Sequence, residues 1–240
     1  MTEQNTMDNS DLATSKRKLG LPQVAGFLRE GLWLRWILVT ALGGAVGGIA
    51  FQVGMGKGRF VGLISFWVIG FGVLGLAIGL AQSLVLGRTL HHPGKSVRIA
   101  IQWTLTNSVG CFVGGMASSI VTVSLVLLLM AGLNVDYTWM YRYGGLVLWT
   151  SSILLSATIV GVLQHLILRT RFDSSQKWIW ISIIGWCAGL AIGWGVAQIT
   201  PGGDIVEGVA GGAVGGTVLG TITGGALVRL LPVSRMRTDP

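Results

Sequence analysis

Charge is scarce in this chain. Lys, Arg, Asp and Glu together make up 11% of the 240 residues, and nine residues are acids. A soluble domain carries roughly 25% charged residues, so this composition excludes an ordinary water-facing surface. Cysteine is equally sparse. Cys111 and Cys187 each sit inside an apolar run, where neutral thiols act as small packing groups; neither a disulfide nor a thiolate metal site is expected. No long apolar run carries a carboxylate, lysine or arginine near its middle. Intramembrane ionisable groups mark ion-coupled transport, so a pump working through carboxylates is not expected. HExxH, GxSxG and paired intramembrane aspartates are missing as well, which leaves a hydrolase without reacting groups. The chain reads as a non-enzyme with no cofactor and no metal.

What is present is glycine and long uncharged runs. Glycine accounts for 38 of the 240 residues, about twice its usual share of ~7%. The expected fold is an all-α integral membrane bundle of six spans, at 34–53, 60–86, 98–130, 143–168, 178–199 and 205–231. A polar tail over 1–30 precedes them, and a short tail over 232–240 follows. Lys16, Arg17 and Lys18 lead into a stretch from Pro22 to Trp36 that suits the membrane surface. A full span then follows, so no cleaved leader is expected. The third run is too long for a bilayer: its 33 residues cover about 50 Å against a core of about 30 Å. It must tilt and protrude, or break near Gly114 and Gly115. Counting it as two spans would move Arg169, Arg171, Lys177, Arg229, Arg235 and Arg237 outside. As one span, 14 of the 17 Lys and Arg fall on a single side. The positive-inside bias therefore selects six spans with both termini cytoplasmic. It also explains the net charge of +8 as topology, with no nucleic-acid partner.

An internal repeat underlies the spans. Trp36, Gly43 and Gly47 recur as Trp103, Gly110, Gly114 and as Trp178, Gly185, Gly189, a W-x6-G-x3-G pattern on each odd span. Even spans carry Gly79, Gln82, Leu86, Arg88; then Gly161, Gln164, Leu168, Arg169; then Gly220, Thr223, Leu227, Arg229. The unit is a helical hairpin used three times, over about 34–88, 98–171 and 178–229. Four residues after each tryptophan stands a polar residue: Thr40, Asn107 and Ser182. With Gln82, Gln164 and Thr223 these form a candidate polar ring, expected to pair by hydrogen bonds inside each hairpin.

Glycines at every fourth position permit close backbone approach, which must replace the hydrophobic effect as the glue between helices in lipid. The sixth span presents Gly208, Gly212, Gly216, Gly220 and Gly224 as one ridge, with Gly211 and Gly215 beside it. Packing within the chain is expected, and self-association through an outer glycine face is the alternative. Trp33, Trp36, Trp103, Trp139 and Trp178 stand near span ends and suit an interfacial belt, whereas Trp67, Trp149, Trp186 and Trp194 lie deeper and suit packing against glycine.

Some motifs look chemical and are set aside. Gly70, Gly72 and Gly75 match G-x-G-x-x-G, but that fingerprint requires a strand before it and a helix after it. The stretch at Gly54, Gly56 and Lys57 lacks the first glycine and the hydroxyl residue of a phosphate loop. His91 and His92 have no carboxylate or cysteine nearby in sequence to complete a metal site. His165, beside Gln164, suits a hydrogen-bonded packing role.

Trp178 to Gly189 (WIWISIIGWCAG), Gln164 to Arg169 (QHLILR) and Gln82 to Arg88 (QSLVLGR) resemble segments of a group of uncharacterised multi-pass membrane proteins in cyanobacteria. The resemblance implies a repeated tryptophan- and glycine-rich hairpin in a bacterial plasma or thylakoid membrane. It carries no assigned function. Three hairpins and six spans are also similar to the mitochondrial carrier architecture, but the proline, acid and base that end odd spans there have no counterpart here. Two functions remain as expectations. One is an accessory, assembly or scaffold protein whose partners are lipid and other membrane proteins. The other is a facilitator or channel for a small solute along a pseudo-threefold axis.

Overall fold

The computed structural model describes residues 31–53, 70–89, 93–133, 137–169 and 175–230. Helix α1 spans Gly31–Val53. Helices α2 to α6 span Val73–Thr89, Pro93–Leu133, Tyr137–Leu168, Lys177–Ile199 and Asp204–Leu230. No strand occurs among the described residues, and six helices are long and apolar enough to cross a membrane. The tails at 1–30 and 232–240, the pair His91 and His92, and Lys57 and Arg59 lie outside the described residues, as does the first part of the expected second span.

Sequence chemistry sets the ends that are described. After α5, Pro201 cannot continue a helix, and Gly202 and Gly203 take φ of 133° and 80°, a region costly for any residue with a Cβ. Asp204 and Glu207 then occupy the first turn of α6 and Arg229 its last, each complementing the helix dipole. A single π turn at 70–72 leads into α2, and the Gly72 carbonyl accepts from Ser108 Oγ of α3 at 3.1 Å. Gly70, Gly72 and Gly75 are thus part of one helical segment, with no strand beside them.

The third span does not break at Gly114 and Gly115. Helix α3 is continuous over 41 residues, about 62 Å at ~1.5 Å per residue. Gly114 is small because α4 lies against it: a Cβ there would overlap the Ser156 backbone. Gly115 stays helical, its carbonyl accepting from Ser118 Oγ at 2.7 Å. The fourth helix also begins earlier than expected, at Tyr137, for 32 residues. Residues 31–36 belong to α1 itself, so that part of the supposed surface stretch is the start of a span.

The helices form a ring of antiparallel neighbours. Close packing joins α2 to α3, α3 to α4, α4 to α5 and α5 to α6. Glycines of α1 close the ring on both sides: Gly43 and Gly47 meet Ile78 and Leu74 of α2, while Gly44 and Gly48 meet Gly212 and Gly208 of α6. The faces are inverted relative to a soluble protein. Leu34, Leu38, Leu42 and Val46 of α1, Leu76, Leu80 and Leu84 of α2, and Val97, Ile101, Leu105 and Val109 of α3 point outward. The buried positions hold serine, threonine, the amides of Gln82, Asn107 and Gln164, and Trp36, Trp103, Trp178 and Trp186 beside a few aliphatic side chains such as Leu74 and Ile78, while Trp180 is exposed. Lipid tails are as apolar as leucine, so this arrangement leaves close approach and polar pairing to hold the helices together.

Candidate functional site

Near the amino-terminal ends of α1, α3 and α5 the interior is a layer of indoles and polar side chains. Trp36, Trp103 and Trp178 are fully buried. Trp36 meets Trp103 edge-on at 6.1 Å, and Trp103 meets Trp178 at 5.8 Å, the geometry that aromatic quadrupoles favour. Leu86, Leu168 and Leu227 complete the cluster. The interfacial-belt expectation is therefore wrong for these three tryptophans. Trp33 is half-exposed, and Trp139 stands in the first turn of α4. Of the deeper tryptophans, Trp149, Trp186 and Trp194 lie around a space walled by glycines of α1, α5 and α6, and Trp67 lies outside the described residues; Trp36 and Trp33 also lie against a glycine, Gly224.

An indole buried in this way needs an acceptor. Trp36 Nε1 donates to Thr223 Oγ1 at 3.0 Å, Trp103 Nε1 to Gln82 Oε1 at 2.9 Å, and Trp178 Nε1 to Gln164 Oε1 at 2.8 Å. All six residues of the candidate polar ring are buried. Gln82 Nε2 donates to Thr40 Oγ1 and Gln164 Nε2 to Asn107 Oδ1, each at 3.3 Å, so two of the three expected pairs are brought together. The third is not. Ser182 Oγ donates instead to Gln164 Oε1 at 3.3 Å, and Thr223 donates to the Leu219 carbonyl. Threonine is too short to reach as glutamine does. Thr40 and Asn107 also donate to the carbonyls of Trp36 and Trp103 one turn back. The layer contains no ionisable group, and its chemistry is that of fixed hydrogen bonds.

The packing glycines sit where helices cross. Gly208, Gly212, Gly216, Gly220 and Gly224 face α1, whereas Gly211 and Gly215 face Gly193 and Gly189 of α5. The sixth-span ridge is spent within the chain and offers no outer face for self-association. Gly110 lies on Val160 and Gly185 on Leu219.

Two features went unread in the sequence. Ser118 pairs with Ser152, Thr122 with Ser151 at 2.9 Å, and Ser156 Oγ donates to the Cys111 carbonyl at 3.1 Å, forming a hydroxyl seam between α3 and α4. Spacing of three to four residues was the available signal. The second is an aromatic group at the far end of the bundle, where Phe51 contacts Phe71 at 5.6 Å and Trp149 at 5.3 Å. His165 departs from expectation: its Nδ1 is buried with no partner among the described residues. No group of three metal-ligating side chains occurs among the described residues. In comparison with known proteins, no family model, curated protein or solved structure matches the chain.

Proposed function

We propose that this protein is a non-enzymatic component of a bacterial membrane, made of three copies of one helical hairpin with both termini in the cytoplasm, and that it acts as an accessory, assembly or scaffold subunit. The threefold reading is supported by equivalent contacts. Residues one and four after each tryptophan meet an even-helix glycine: Thr104 and Asn107 at Gly79, Ile179 and Ser182 at Gly161, Ile37 and Thr40 at Gly220. Each indole also donates to the even helix of the preceding unit, cyclically. The cytoplasmic assignment rests on the positive-inside bias. A cysteine placed in either tail should react with an impermeant maleimide only after the membrane is opened.

The observation that carries the functional reading is the filled axis. Trp36, Trp103 and Trp178, with three leucines, occupy the position through which a solute would pass at this end, and their N–H groups are held by buried acceptors. A facilitator would need that axis open; a scaffold needs it rigid. The exterior is aliphatic and suited to lipid and to other membrane helices. The test is purification of the tagged protein from its native membrane in mild detergent, with mass spectrometry of whatever copurifies. A stoichiometric partner is expected. Repeated recovery of the chain alone would count against the accessory role.

A further inference from the structure

A cavity of about 70 Å³ opens inside the bundle, walled by α1, α2, α4, α5 and α6, and runs from Glu207 inward to Leu219. Glycine backbone forms much of its wall, Phe51, Trp149, Trp186 and Trp194 supply aromatic surface, and Gln52 and Glu207 are its polar side chains apart from the indoles. Phe51 meets Trp149 edge-on at 5.3 Å, and Trp149 lies 6.1 Å from Trp194. We propose that this cavity binds the ammonium head of a small organic cation, with Glu207 as counter-charge and Trp149, Trp194 and Phe51 as the aromatic faces.

Charge selects the ligand. Asp204 and Glu207 are the two acids among the described residues, and Asp204 points to the outside while Glu207 lines the cavity. No side chain among the described residues pairs with the Glu207 carboxylate. A carboxylate at the edge of an apolar cavity is unfavourable until a cation or hydrogen-bond donors meet it. The walls favour the same partner, because the faces of tryptophan and phenylalanine attract cations, and methylated or alkylated ammonium most usefully, since it gives up little hydration. An anion would be repelled, and an acyl chain would gain nothing from Glu207. Size narrows the choice further. The volume is about half of the ~150 Å³ apolar cavity that takes up benzene, so it suits a head group whose remainder extends through the open side.

The test is calorimetric titration of choline into the full chain in nanodiscs of phosphatidylglycerol, which brings no amine. Saturable binding is expected, weakened about tenfold or more by Glu207→Gln and by Trp149→Leu. The uncharged carbon isostere of choline, with a tert-butyl group in place of trimethylammonium, should show no saturable binding. Gel filtration of each variant establishes that it is folded, and Glu207→Asp should retain most of the affinity. No saturable binding to the native chain, equal binding to Glu207→Gln, or equal binding of the isostere overturns the assignment. Repeating the titration in discs containing phosphatidylcholine identifies the source: competition supports a lipid head as the occupant, and unchanged affinity supports a soluble amine. Neither result depends on whether a protein partner is found.

Discussion

Gln164 holds more of the buried layer than any other side chain. Its Oε1 accepts from Trp178 and Ser182, and its Nε2 donates to Asn107. Gln164→Leu strands an indole N–H, a hydroxyl and an amide oxygen, and should destabilise the bundle by about 1–3 kcal/mol. Gln82→Leu strands fewer groups and should cost less. Unfolding in mixed micelles with increasing SDS ranks the two, and the reverse order would contradict the network. Trp36→Phe keeps most of the ring and loses one hydrogen bond, so its cost should stay near ~1 kcal/mol, whereas Trp36→Ala leaves a cavity and should cost ~3–5 kcal/mol. The polar positions were legible because a fixed offset from tryptophan marks them. The tryptophans themselves were misread, since span-end indoles usually sit at the interface. A repeat that preserves an indole and an acceptor together was the signal for burial.

At the scale of elements, the glycine ridge of α6 makes a sharp contrast with glycines that touch nothing. A Cβ at Gly212 would overlap the Gly44 carbonyl of α1, while one at Gly195 of α5 meets nothing within 4 Å. Gly212→Ala must force α1 and α6 apart and should cost about 1–3 kcal/mol or more, with loss of monodisperse protein on gel filtration. Gly195→Ala should be neutral or stabilising by up to ~1 kcal/mol, since it only raises helix propensity. Equal behaviour of the two would remove the case for backbone contact. The ridge was legible from spacing alone. Which helix it faces was not, because two glycine faces on one helix serve α1 and α5 in turn. Bilayer thickness left α3 either to tilt and protrude or to break near Gly114 and Gly115; the helix is continuous, and the hydroxyl seam with α4 supports it.

For the whole molecule, ring closure makes α1 and α6 partners despite their separation in sequence. Fragments 1–172 and 173–240, expressed together, should copurify through the glycine contacts of α6 with α1 and of α5 with its neighbours. Gly44→Leu in the first fragment should abolish recovery. The six-span count followed from hydropathy and charge, while closure of the ring depends on contacts no local pattern encodes. The central claim is that the buried tryptophan layer closes this ring at one end, so that the protein works as a structural partner rather than a conduit. Its most direct test is stopped-flow measurement of water and small-solute permeation across proteoliposomes at known protein density. Permeation equal to that of protein-free liposomes is predicted, and a protein-dependent, saturable flux would contradict it.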